Sequence, residues 1–194
     1  MTTIIDEMVA AARGCALLLV GNRTAAQHFD FSQRGLVGSF IAILVATAFS
    51  AYLPVLLGIG SHGSVLRVIL TSGMAFALQV ALAALALRQM KRLDGFVPYL
   101  VAENWATFFL SVITALLALI GFGGDFFLVV VGIVMLVVQI NIARLIVTLA
   151  PLQVAIFLIA QLVAGSIGLL IVALSMPLPP DAAALVSALS NPPA

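Results

Sequence analysis

Five long apolar runs dominate the sequence and determine most of what this chain can fold into. They cover about residues 35–57, 66–87, 97–120, 126–149 and 152–175. A helix needs about 20 predominantly apolar residues to cross the hydrocarbon core of a bilayer, and each run is long enough. Of the 194 residues, 64% are hydrophobic and only 8% are charged, against about 25% charged in soluble domains. The sequence therefore predicts an all-α membrane protein with five transmembrane helices.

The chain divides into three parts around these runs. Residues 1–34 are predicted to form a cytoplasmic N-terminal segment, residues 35–176 the five-helix transmembrane bundle, and residues 177–194 an extracytoplasmic, proline-rich tail. Within the first part, residues 3–20 have the pattern of an amphipathic helix. One face carries Ile4, Met8, Ala11, Cys15 and Leu18, and another carries Asp6, Ala10 and Arg13. Its wholly apolar stretch is too short to span, so we expect the helix to lie along the membrane surface. The alternative, a half-buried helix packed against the bundle, stays open.

Basic residues predict the orientation of the bundle. Of the eight, only Arg67 lies near one end. The others are Arg13, Arg23, Arg34, Arg88, Lys91, Arg92 and Arg144. Cytoplasmic loops carry an excess of lysine and arginine, so the N-terminus is expected in the cytoplasm and the C-terminus outside. The excess of arginine over lysine and the abundant alanine indicate a bacterial source, and hence the inner membrane.

Small residues recur at four-residue spacing on four of the predicted spans. They are Gly38, Ala42, Ala46 and Ser50; Gly73, Ala77 and Ala81; Thr107, Ser111 and Ala115; and Ala160, Ala164 and Gly168. Lipid provides no hydrophobic drive between helices, so close contact and polar pairing must hold them together. These ridges favour a compact bundle over a loose set of anchors.

Polar side chains within the apolar runs form the candidate site. Glu103 lies about six residues into the third run, and Arg144 lies about as far from the end of the fourth. Both therefore reach a depth of roughly 9 Å, and we predict an ion pair between them. By their spacing, Asn141, Arg144 and Thr148 share one helix face. The predicted intramembrane polar cluster comprises Glu103, Asn104, Arg144, Asn141, Gln139, Gln79 and Gln161.

Two interpretations of this cluster stay open. Charged residues within a membrane often mark a path for an ion or a substrate. The same groups can instead bond the helices together while Arg144 reaches to the cytoplasmic surface. The structural interpretation is favoured for a bundle this small, whereas a carboxylate without a partner would favour proton transfer.

Catalytic and metal-binding motifs are missing from the sequence. Its histidines, His28 and His62, are predicted on opposite sides of the membrane, and Cys15 is the single cysteine. Neither a zinc site nor a buried catalytic triad fits that set, and no phosphate-binding loop is present. We therefore expect no enzymatic activity and no cofactor. The near-neutral net charge gives no argument for nucleic acid. The expected partners are the lipid bilayer and other membrane proteins or a second copy of the chain.

The layout resembles that of the Yip family of membrane proteins. The shared features are a short N-terminal helix in the cytoplasm, five spans, an outer C-terminus, and a proline near the start of the third span. That proline lies here in Phe96-Val97-Pro98-Tyr99, after a basic loop. The Asp-Leu-Tyr-Gly-Pro signature of eukaryotic members is missing, so the resemblance implies the five-span layout without a vesicle-trafficking role. The first functional hypothesis is an accessory or scaffold component of a membrane assembly, and the alternative is a small transporter or channel subunit that uses the Glu103 cluster.

Overall fold

The structure, a computed structural model, describes residues 3–56, 58, 62–122 and 124–175, and every regular element within them is helical. In chain order the helices are α1 (Ile4–Leu19), α2 (Gln33–Leu56), α3 (His62–Gln89), α4 (Phe96–Leu119), α5 (Asp125–Asn141) and α6 (Pro151–Ser175). Two short 3₁₀ turns, Arg23–His28 and Leu93–Gly95, and a π-helical turn, Ile142–Ile146, join them. The predicted all-α fold is confirmed. The predicted tail, residues 177–194, lies outside the described residues.

Five of these helices are long and apolar enough to cross a membrane. The candidate spans are Gln33–Leu53, Val68–Gln89, Leu93–Leu119, Asp125–Ile146 and Pro151–Ile171, with mean hydropathies from 1.6 to 2.7. Their outer faces expose large apolar side chains such as Leu44, Phe126 and Leu152. Such a surface is unstable in water and suits contact with lipid tails. The protein is therefore an integral membrane protein with five spans.

Two close helix pairs build the bundle, α2 against α4 and α3 against α6, and α4 also contacts α1 and α5. Small residues line both pairs. Ala42 and Ala46 of α2 are buried, as is Ala164 of α6. A Cβ atom placed on Gly168 of α6 would lie 3.0 Å from the Cβ of Ala75. Close approach of backbones thus accompanies both contacts, as the small-residue ridges on these two helices predict.

The ridge predicted on α3 is wrong. Gly73, Ala77 and Ala81 are exposed, and α3 buries Ala83 and Leu87 instead. Alanine occupies several faces of this helix, so four-residue spacing alone could not identify the face that meets α6. The orientation of α3 is set by its partner, which no local pattern encodes.

Helix α1 packs against the bundle and presents three distinct faces. Ala11, Cys15 and Leu18 are buried towards the bundle, where α1 contacts α4 and α5. The polar face is exposed and carries Asp6 and Arg13. The third face exposes apolar side chains, namely Ile5, Val9, Ala16 and Leu19. At 100° per residue these are three separate faces, an arrangement that suits a helix bordered by protein, water and lipid together. Of the two alternatives, contact with the bundle is observed, and a position at the membrane surface stays a prediction.

The connection between α5 and α6 departs from the predicted continuous helix. After Asn141 the backbone widens into the π-helical turn, and Thr148 adopts a left-handed φ of 57°. Arg92, from the connection between α3 and α4, fixes this turn. Its guanidinium donates hydrogen bonds to the carbonyl oxygens of Val147 at 2.6 Å and Thr148 at 2.7 Å, and to the Thr148 hydroxyl at 2.7 Å. We name this set of contacts the Arg92 clamp.

Candidate functional site

Glu103 is the centre of the candidate site. It projects from α4 and is only 6% exposed. Its Oε1 atom accepts a hydrogen bond of 2.7 Å from Nε2 of Gln139 on α5, and its Oε2 atom is buried without a hydrogen-bond partner among the described residues. Within the same part of the chain, no basic side chain lies within the 4.0 Å of a salt bridge to this carboxyl group. The site therefore holds an acid without a counter-ion.

The predicted ion pair between Glu103 and Arg144 is wrong. Arg144 is exposed and lies on the π-helical turn, at the end of the bundle. A π turn contains more residues than an α turn, so it rotates every later side chain away from the face that α-helical spacing predicts. Gln139, which precedes the turn, takes the position opposite Glu103.

The shared face predicted for Asn141, Arg144 and Thr148 is wrong for the same reason. Asn141 donates a hydrogen bond of 2.7 Å from Nδ2 to the carbonyl oxygen of Leu18, at the end of α1. Thr148 belongs to the Arg92 clamp. The three side chains thus meet different neighbours, and neither Asn141 nor Arg144 has a hydrogen bond or ion pair with Glu103.

Two further polar contacts link α4 to its neighbours. Nδ2 of Asn104 donates to the Ser39 hydroxyl on α2 at 3.1 Å, and that hydroxyl donates to the Leu36 carbonyl. The Tyr99 hydroxyl donates to Oε1 of Gln161 on α6 at 3.3 Å. Together with Glu103, one stretch of α4 therefore bonds to three helices. Ser39 and Tyr99 were missed by sequence reasoning, although Tyr99 lies four residues before Glu103 and so shares its face.

A cavity of about 320 Å³ lies between α3, α5 and α6, and Gln139, the hydrogen-bond partner of Glu103, lines it. Its polar lining includes the side chains of Gln79, Gln139 and Gln161, set among apolar residues such as Met135 and Leu158. The Gln139 side chain therefore contacts both the cavity and the Glu103 carboxyl group. Three of the predicted cluster residues line this cavity, Glu103 is linked to it through Gln139, and Asn104 lies on the α2 side of α4.

Several buried polar atoms in this region have no hydrogen-bond partner among the described residues. They are Oε2 of Glu103, Oδ1 of Asn104, Oε1 of Gln139, Nε2 of Gln161 and Oε1 of Glu7. Buried polar groups are nearly always bonded, so a cluster of exceptions needs a specific explanation. Four of the five are oxygens, which accept hydrogen bonds.

Helix α1 closes the site from one side with Cys15 and Glu7. Burial raises the pKa of the Cys15 thiol to about 12. The thiol is therefore protonated at neutral pH and is a poor nucleophile.

Glu7 lies against Gly38 of α2. A Cβ atom placed on Gly38 would lie 2.5 Å from Oε1 of Glu7. Burial raises the pKa of Glu7, and the charge of Asp30 raises it further.

The fold and the site define a class: a five-span integral membrane protein with a buried carboxyl group that has no counter-ion among the described residues. No family model, curated protein or solved structure matches the chain. The resemblance to the Yip family therefore stays a prediction. Among the described residues, no group of three or more histidine, cysteine, aspartate or glutamate side chains is placed to hold a metal ion.

Proposed function

We propose that this membrane protein is a small proton-linked transporter or channel subunit in which Glu103 binds and releases a proton. The supporting observation is the buried carboxyl group of Glu103, which has no ion pair and one oxygen without a hydrogen bond in the part of the chain that the structure describes. An isolated charge inside a membrane costs several kcal/mol, and a carboxyl group avoids that cost by holding a proton. A group that served only to join helices would gain most if both oxygens were bonded.

The cavity between α3, α5 and α6 supports the proposal because it offers Glu103 a polar neighbour. The Gln139 amide contacts both the carboxyl group and the cavity, and the amides of Gln79 and Gln161 line the same space. A volume of about 320 Å³ accommodates several water molecules, each of which takes about 30 Å³ in the liquid. Amide groups both donate and accept hydrogen bonds, so they are suited to order such waters.

The accessory or scaffold role is the second candidate. Its support is the pair of buried contacts that join α4 to two other helices, Asn104 to Ser39 and Tyr99 to Gln161. Polar bonds of this kind hold transmembrane helices together. Both candidates are non-enzymatic. Both also place the chain in a bacterial inner membrane with its basic end in the cytoplasm, following the positive-inside rule.

Proton flux into vesicles distinguishes the two candidates. The purified protein is placed in liposomes that enclose a pH-sensitive dye, and a potassium diffusion potential is imposed with valinomycin. We expect the wild type to acidify the interior faster than protein-free liposomes, and Glu103→Gln to return the rate to the protein-free value. Asp125→Asn makes the same chemical change at the exposed start of α5 and should leave the rate unchanged.

Folding is checked in the same samples through Trp105, the single tryptophan, which is buried. Gln139→Leu provides a second variant, because it keeps the carboxyl group and removes its link to the cavity. It should slow the flux as well. Equal rates for the wild type and Glu103→Gln, or for the wild type and empty liposomes, would contradict the transport proposal and leave the scaffold role.

A further inference from the structure

Two arginines face one pocket at the basic end of the bundle, away from Glu103. Arg23 lies in the first 3₁₀ turn, Arg144 on the π-helical turn, and both are exposed. The pocket they line has a volume of about 600 Å³. Neither guanidinium has a hydrogen bond or ion pair with the described residues, and no acidic residue among them lines the pocket. Two like charges facing one space repel each other, so the site favours an anion.

The pocket is held in shape by contacts that involve neither arginine. The Arg92 clamp fixes the turn that supplies Thr148 to the lining. Pro151 and Val154, in the first turn of α6, form another wall. The N-terminus of a helix carries a partial positive charge, which adds to that of the guanidinium groups. The anion site is therefore rigid as well as positively charged.

The remaining walls are apolar, which argues for a lipid rather than a free ion. Leu145, Leu149 and Val154 line the pocket beside the arginines, and α6 continues from it with Ile156 and Ile159 exposed. A headgroup phosphate in this pocket would leave its acyl chains on a surface that already suits lipid. Guanidinium groups bind phosphate oxygens with paired hydrogen bonds, and basic pockets between cytoplasmic helix ends are typical sites for acidic lipids.

We propose that Arg23 and Arg144 bind the phosphate headgroup of an anionic phospholipid at the junction of α5 and α6. This site is separate from the Glu103 cavity and does not depend on the transport proposal. The two arginines come from the N-terminal segment and from the bundle, so a bound headgroup would tie one to the other. An acidic lipid would thereby stabilise the contact of the N-terminal segment with the bundle.

Competitive lipid binding tests this proposal. The full-length protein in a non-ionic detergent is given equal amounts of phosphatidylglycerol and phosphatidylcholine, and the retained lipid is counted by native mass spectrometry. We expect phosphatidylglycerol to be preferred about tenfold by the wild type. The double variant Arg23→Gln with Arg144→Gln should lose that preference, and each single variant should lose part of it.

A matched control variant loses the same two positive charges at positions outside the pocket. Arg13→Gln with Arg88→Gln removes two exposed arginines that do not line it and should keep the preference. A loss of preference in this control equal to that in the double variant would show a general charge effect and overturn the proposal. Inorganic phosphate, added at the lipid concentration, should not displace phosphatidylglycerol. If it binds as tightly as the lipid, the pocket is a phosphate site and the lipid assignment is wrong.

Discussion

The two ends of the bundle differ in how closely the helices approach. At the basic end, α4 buries every residue from Tyr99 to Ala106. We call the opposite end the glycine end, because Gly121 and Gly124 lie there between α4 and α5. Towards it, Ala115 alone is buried among residues 107–119 of α4. An open cavity of about 470 Å³ separates α2, α4 and α5 there, and Ser50 and Ser111 line it. Helices α2, α4 and α5 therefore converge at the basic end and diverge at the other.

Polar bonding explains this difference. At the basic end, side-chain hydrogen bonds join separate helices, as between Asn104 and Ser39 and between Glu103 and Gln139. Elsewhere in the bundle, hydroxyls such as that of Thr47 bond within their own helix. Lipid tails are as apolar as leucine, so burial of apolar surface does little to draw two spans together. The interhelical polar bonds of α4 lie within its buried stretch at the basic end, and the same bonds surround the candidate site.

Of the substitutions that test this contrast, Arg92→Ala should have the largest effect on stability, because it removes the Arg92 clamp at the basic end. Three charge-assisted hydrogen bonds are lost, and the carbonyl of the buried Val147 loses its partner. We expect the free energy of unfolding to fall by about 3 kcal/mol. Unfolding in SDS, followed through Trp105 fluorescence, measures the change. Arg88→Ala removes an exposed neighbouring arginine and should alter stability by less than about 0.5 kcal/mol. Equal stability of Arg92→Ala and Arg88→Ala would show that the Arg92 clamp does not stabilise the basic end.

A pair of glycine substitutions should shift stability in opposite directions at the two ends. A Cβ atom on Gly95 would overlap the Val147 side chain, so Gly95→Ala is expected to destabilise the fold by about 2 kcal/mol. Gly132, in α5, has nothing within 4 Å of the same position. Gly132→Ala should therefore stabilise by up to about 1 kcal/mol through helix propensity. The same SDS titration compares them. If both substitutions destabilise, the glycine end is packed more closely than its cavity indicates.

The spans themselves could be predicted from the sequence, because hydropathy is a local property. The predicted second run, residues 66–87, lies inside α3, and the predicted third run matches α4 to within about one residue. These features depend on length and composition, which lipid selects directly.

The partners of Glu103 and Arg92 could not be predicted in the same way. Pairing of Glu103 with Gln139 depends on the rotation of α5, and the displacement of Arg144 depends on the π-helical turn; tertiary contacts determine both. The Arg92 clamp binds two backbone carbonyls beside a residue with positive φ, and no sequence pattern marks such acceptors. Charge complementarity predicted an ion pair because it ignores how each helix is turned. The oxygen left unbonded on Glu103 is a consequence of that rotation.

The smallest expected effect on stability is that of substituting Glu7, which lies where α1 meets the basic end of the bundle. Burial and the charge of Asp30 raise the pKa of Glu7 in the folded protein, although Arg34 and a hydrogen bond from Trp105 oppose the increase. The folded state then holds this proton more tightly than the unfolded chain. Its contribution to stability is present below the ordinary pKa of 4.5 and is lost as the pH rises through the raised value. Glu7→Gln should therefore raise the Tm at neutral pH by about 1 °C, a small effect because the group is partly solvated.

Asp6, one residue earlier, supplies a control of opposite sign. Hydrogen bonds from Thr3, first from its backbone and then from its hydroxyl, lower the pKa of Asp6. Its contribution is present above the ordinary value of 3.8 and is lost as the pH falls through the lowered value. Asp6→Asn should therefore lower the Tm at neutral pH, where Glu7→Gln raises it. If both variants shift the Tm in the same direction, the stability depends only on the net charge of α1. The contact of Glu7 with α2 would then contribute nothing to the packing of the basic end.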